Sequence, residues 1–126
     1  MGRKLNQGSK WITPVKRLAI YHRDGLCCVY CGSTVEEGAF LTLDHITPCE
    51  LGGSNEATNL ITACRSCNSS KCDRPLKQFL MTLSDKGIDP KSVSKRIRAL
   101  SASDLTKHLV TAKAIMAARK TSTDEE

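Results

Sequence analysis

Apolar residues recur at helical spacing near the start of the chain. In "TPVKRLAIYHRDG", Val15, Leu18 and Tyr21 share one face while Lys16, Arg17 and Arg23 lie elsewhere. Thr13 as N-cap, Pro14 at the first helical position and Gly25 just past the end predict where this helix begins and stops. "AFLTLDHI" alternates, with Leu41 and Leu43 on one side, and predicts a strand. "CCVYCG" reads as a tight turn between short strands, "TPCELGGSNEATN" as loop and "LITAC" as a short apolar run. From about Ser66 the pattern turns helical, with a break near Asp73 and Pro75. A helix from Pro75 to Lys86 is closed by Gly87, and Asp89-Pro90 opens another carrying Val93, Ile97 and Leu100. Ser103 is expected to cap a third, striped by Leu105, Leu109, Ala112 and Met116. Such stripes read as core or partner contact.

Composition limits how such elements can be held together. At 126 residues the chain is most simply one domain, and 40% apolar with 4% aromatic residues allows a core but not a generous one. Seven cysteines, an odd number, argue against a pure disulfide framework and for metal. No apolar stretch follows the basic N-terminal residues as in a secretory signal, and no apolar run approaches the ~20 residues of a membrane span. The expectation is a cytoplasmic protein with no membrane partner. Its net charge of +6 is unevenly spread. Residues 24–63 carry acidic side chains and no Lys or Arg, whereas both flanks are strongly basic. Basic flanks around an acidic centre fit a polyanion held beside a metal-using site.

Cys28-Val-Tyr-Cys31 and Cys64-Arg-Ser-Cys67 are two Cys-x-x-Cys turns with 32 residues between them. Each turn lets two thiolates point at one metal, and four thiolates with no open position describe a structural Zn²⁺ site. Cys27 competes with Cys28 through a wider turn, but the spacing favours Cys28. Cys49 and Cys72 have no partner at zinc spacing and read as small buried or surface thiols.

Between the two pairs lies Asp44-His45. Asn59 follows fourteen residues after His45, Asn68 comes directly after the second pair, and Lys71 three residues later. In that order, "CVYCG … LTLDHITP … GGSNEATNLITACRSCNSSK" resembles the zinc-bearing branch of the HNH endonucleases, over residues 27–71. Asn68 stands where the family name has its final histidine. The resemblance implies a small ββα-metal finger stapled by a four-cysteine zinc site, which the N-terminal helix also fits; the helical pattern beyond it adds a helical C-terminal extension, for an α+β fold. With the composition and helical pattern of the flanks, the chain is expected to divide into a flexible basic arm (1–12), an HNH nuclease domain (13–74), a helical extension (75–120) and an acidic tail (121–126).

The implied activity is metal-dependent hydrolysis of DNA, leaving 5′-phosphate and 3′-hydroxyl ends. The residue chemistry agrees. An imidazole, with an ordinary pKa of about 6.5, can take a proton from water at neutral pH. Asp44 and Asn68 offer one anionic and one neutral oxygen, which suit Mg²⁺ or Mn²⁺. Asn59 is expected to tie down the Gly-rich loop and orient His45. Arg65, Lys71 and Arg74 are expected to contact DNA phosphates. Neighbours in a strand face opposite ways, so Asp44 must turn to the cation and His45 to the attacking water. Two alternatives stand beside this one: a non-cleaving zinc-ribbon nucleic-acid-binding module, and an accessory protein of phage DNA packaging. The C-terminal helices could serve a homodimer or a packaging-machinery partner.

Overall fold

The structure, a computed structural model, describes residues 12–125, with side chains to residue 119. Trp11 and all of the expected basic arm except Ile12 lie outside the described residues, as do the side chains of the acidic tail. The chain is α+β. Helix α1 (Pro14–Arg23) leads to an antiparallel pair, β1 (Leu41–His45) and β2 (Leu60–Cys64), then to α2 (Arg65–Lys71). Three further helices follow: α3 (Leu76–Leu83), α4 (Pro90–Ala102) and α5 (Thr106–Glu125). No helix among the described residues is long and apolar enough to cross a membrane.

Helix α1 starts and stops at the punctuation in its sequence. The Thr13 hydroxyl accepts from Lys16 N at 3.2 Å, and Gly25 takes φ +85° beyond the last turn. Its two faces are both used. Ala19, Ile20 and Arg23 are buried, whereas Leu18 and Tyr21 line a pocket shared with Met116 of α5.

A two-stranded ladder has two open edges, and here side chains close one and side chains with a main-chain N–H close the other. On β1 the alternate outer carbonyls of Leu41, Leu43 and His45 accept from the Tyr21 hydroxyl, Asn68 Nδ2 and Lys71 Nζ at 3.2, 3.1 and 2.9 Å. On β2, Thr62 N donates to Asp24 Oδ2 at 2.8 Å and Thr62 O accepts from Val29 N at 2.9 Å. Arg23 pairs with Asp24 at 2.7 Å, and its Nη1 and Nη2 donate to Ala57 O and Leu60 O. This buried pair therefore rivets α1 to the start of β2.

The core continues past the finger. Tyr30 stands edge-on to Phe79 of α3, with ring centroids 4.9 Å apart, and Leu80, Leu83, Val93 and Ile97 join the same cluster as Cys28, Cys64 and Cys67.

Three local expectations are corrected. The Cys28–Cys31 turn has only an isolated bridge, Cys27 to Thr34, and no flanking strands among the described residues. Its N–H groups turn onto sulfur instead, with Cys31 N on Cys28 Sγ at 3.5 Å. The loop after β1 contains two single-turn 3-10 helices, Cys49–Leu51 and Ala57–Asn59. Ser103 closes α4 rather than capping α5; the Asp104 carboxylate accepts from Thr106 N at 3.1 Å.

Candidate active site and zinc centre

The sulfurs of Cys28, Cys31, Cys64 and Cys67 lie within 4.8 Å of one another, and Cys31 Sγ is 3.8 Å from Cys64 Sγ. A tetrahedron with Zn–S bonds of about 2.3 Å has edges of about 3.8 Å, so these four thiols could hold zinc with little movement. Cys67 N donates to Cys64 Sγ at 3.4 Å, matching the Cys31–Cys28 contact in the other turn. Cys28 is pushed down by the hydrogen bond it receives from the Cys67 thiol, and Cys67 is pushed up by that same bond. Cys27 stands apart, with its thiol on Asp24 O at 3.5 Å.

Beside this centre, an open cavity of about 360 Å³ is lined by Asp44 and His45 from the end of β1, Asn68 and Lys71 from α2, and Arg17 from α1. Strand alternation sends Asp44 and His45 opposite ways. Asp44 turns inward and is buried, where it accepts from the Tyr30 hydroxyl and sits 3.3 Å from Lys71 Nζ. Burial raises the Asp44 carboxyl above its ordinary range, while the Tyr30 hydroxyl and the Lys71 ammonium pull the other way. Burial and the facing Asp44 charge raise the Tyr30 phenol, which keeps it a donor.

His45 turns outward, and its Nε2 meets Asn55 Oδ1 at 2.7 Å. A carboxamide oxygen only accepts, so Nε2 is the donor in this contact, and in the neutral ring Nδ1 is the nitrogen with the lone pair. Asn55 is held in turn by Lys16 Nζ on its carbonyl at 2.6 Å. Asn68 spends both Nδ2 protons, on Thr42 Oγ1 at 2.9 Å and Leu43 O at 3.1 Å. That leaves its Oδ1 as the atom free to serve a cation. A carboxylate and a carboxamide oxygen on one cavity suit a hard divalent ion, although an ion taking Asp44 Oδ1 must share it with Lys71.

Asn59 lies outside this convergence and ties the loop instead. Its Oδ1 accepts from Thr47 N at 2.9 Å, and its Nδ2 donates to Thr47 O and Ser54 O at 3.1 and 2.8 Å. Gly53 runs so close that a Cβ there would stand 1.7 Å from the Thr47 carbonyl oxygen. Arg65 is exposed on the first turn of α2. Arg74 lies back on α2, with Nη2 on Ser70 O at 2.6 Å and its guanidinium 5.6 Å from the Phe79 ring.

Lys71 must be corrected. It is 0% exposed, and its ammonium is occupied by Asp44 and the His45 carbonyl, so it is an internal counter-ion rather than a phosphate contact. An unpaired buried ammonium would be costly, and Asp44 is the partner that makes its burial tolerable. Tyr30, Asn55 and Arg17 escaped the sequence reading. Tyr30 had one available signal, its place inside the first Cys-x-x-Cys turn, which carries it wherever the zinc knuckle goes.

Residues 28–74 match the model of the family described as HNH endonuclease. The chain is also 32% identical over 100 residues to a CRISPR-associated endonuclease Cas9 from Corynebacterium diphtheriae, covering 78% of this chain and 9% of that one. A Cas9 from Actinomyces naeslundii is 31% identical over 85 residues, covering 67% and 8%. The chain thus spans under a tenth of the length of these relatives. No solved structure matches it. With its four clustered cysteines, its ββα unit and the family's own match over the same stretch, the segment from 28 to 74 belongs to the HNH endonucleases.

Proposed function

We propose that the chain is a divalent-metal-dependent endonuclease that hydrolyses DNA phosphodiester bonds, leaving 5′-phosphate and 3′-hydroxyl ends. The observation that carries this reading is the convergence of Asp44, His45 and Asn68 on one cavity beside the cysteine cluster. Residues 13–74 form the nuclease unit in this proposal, and within the extension α3 and α4 pack on its knuckle while α5 packs on α1.

His45 is the general base. With Nε2 held by Asn55, its Nδ1 takes the proton as a water oxygen bonds to phosphorus and the P–O3′ bond breaks. Asp44 and Asn68 would hold Mg²⁺ or Mn²⁺, which when bound neutralises charge on the phosphate and on the departing 3′ oxygen. Asn59 positions the loop behind His45, and Lys71 holds Asp44 and the strand end in register. Cleavage of supercoiled plasmid with Mg²⁺, with Mn²⁺ and with chelator tests the reading. Intact plasmid in all three would overturn it.

DNA affinity should be salt-sensitive, with Arg65 and Arg74 meeting phosphates. Arg65→Ala is expected to lower the log–log salt slope by roughly one. Lys71→Met should leave that slope as it was, because the buried ammonium reaches no phosphate. A reduced slope in Lys71→Met would put this lysine back in the interface.

Tyr30 positions Asp44, so its hydroxyl matters to the catalytic ion rather than to zinc. Tyr30→Phe should weaken Mn²⁺ binding roughly 10–100-fold, the usual scale for an outer-sphere partner of a ligand, with zinc content unchanged. Mn²⁺ titration followed by electron paramagnetic resonance reads this directly, and wild-type affinity in the variant would remove Tyr30 from the role.

A further inference from the structure

The chain has five aromatic residues, and among those described Phe40 is the one turned to solvent, at 64% exposure. Tyr30 and Phe79 are buried and Tyr21 is half-buried. Phe40 stands at the mouth of β1, in the row of alternate residues that continues through Thr42 to Asp44. Helix α2 lies along that row: Arg65 over Phe40, Asn68 on Thr42, Lys71 on Asp44. The Arg65 guanidinium is 5.7 Å from the Phe40 ring centre, and Arg65 N donates to Phe40 O at 2.8 Å. Arg65 makes no ion pair among the described residues, in contrast to Arg23 and Lys71. Ring and helix flank an open groove of about 510 Å³, lined also by Ser33, Ser66 and Ser69 and by Glu37, whose carboxylate accepts from Thr34 N at 3.0 Å.

We infer that this groove is a subsite for an unpaired nucleobase of the DNA strand being cut, an inference that rests on the nuclease reading. A flat aromatic face with a guanidinium beside it stacks a base of any sequence. Hydroxyls that both donate and accept suit the polar edge of a base better than they suit an apolar peptide. Arg65, outside any ion pair among the described residues, supplies positive charge for the strand's phosphates, while the Glu37 carboxylate in the same lining is tied to Thr34 N. Asp44 lies four residues along the strand from Phe40, about 13 Å, so the stacked base lies near the cleavage centre but outside it. The expected substrate preference is DNA with single-stranded character next to the cut.

The test uses the full-length, zinc-loaded His45→Ala protein without Mg²⁺, so that DNA is bound but not cut. Fluorescence anisotropy compares a labelled oligothymidylate with a blunt mixed-sequence duplex. Adding Phe40→Ala should weaken binding of the single strand roughly 5- to 150-fold, the usual effect of losing one aromatic–base stack, and leave duplex binding nearly unchanged. Phe40→Trp should restore single-strand binding. Unchanged single-strand affinity in Phe40→Ala would overturn the subsite, as would an equal loss on both probes. Phe40-dependent self-association in sedimentation would assign the groove to a second copy and also overturn it. If the Phe40-containing protein binds neither probe, the nuclease reading fails first and takes the groove with it.

Discussion

Cys64→Ser is expected to leave little soluble, folded protein. Cys64 ends β2, its sulfur caps the first turn of α2 through Cys67 N, and it faces Cys31 across the cluster at 3.8 Å. One side chain thus serves the sheet, the helix and the metal together. Zinc closure typically contributes on the order of 10–16 kcal/mol, against a net domain stability of about 5–15 kcal/mol. Losing one of four ligands should therefore exceed the stability that remains. Elemental analysis should find one zinc per chain in the wild type, and circular dichroism should show no cooperative unfolding for Cys64→Ser. Cys72→Ser is the matched control, because Cys72 is exposed and outside the cluster, and it should keep its zinc. A cooperatively folding, zinc-free Cys64→Ser protein would refute the structural assignment.

His45→Ala should lose cleavage by about 10²–10⁴-fold, the usual contribution of a positioned general base. Fold and zinc should survive. The ring is half-buried at the end of β1 and bonds to Asn55, while the His45 backbone stays paired with Leu60 and Lys71. The same variant should hold DNA about as well as wild type, since no phosphate contact is assigned to the imidazole. Plasmid nicking measured beside zinc content separates the two roles. A His45→Ala protein that cuts at the wild-type rate would show that another group takes the proton.

Much of the architecture could be read from local signals. Thr13, Pro14 and Gly25 bound α1 because caps act within one turn of chain, and the paired cysteines announce their cluster because a Cys-x-x-Cys turn fixes two sulfurs by itself. The choice of Cys28 over Cys27 was legible for the same reason. Lys71 was misread because its charge is visible in sequence and its surroundings are not. Its partner is 27 positions away, and only the packing of α2 against β1 decides that the ammonium points inward. The Arg23–Asp24 rivet was hidden likewise, since adjacent opposite charges usually lie on a surface. Asn55 sits in a loop whose polar residues look interchangeable until the fold brings one of them to the His45 ring.

Gly53 has a consequence for the gene rather than for the reaction. A Cβ at this position would lie 1.7 Å from Thr47 O and 2.8 Å from Asn59 Nδ2, both of them parts of the loop clasp and neither the free end of a flexible side chain. Every missense change that a single nucleotide can make in a glycine codon introduces a Cβ. In a random-mutagenesis library selected for cleavage, codon 53 should therefore stand out as intolerant of any substitution, alanine included. Gly52 next to it, with open space around its missing Cβ, should be less strict despite its φ of +93°. Deep sequencing of the survivors reads the contrast, and an abundant Gly53→Ala clone would show that the loop has room the clasp does not suggest.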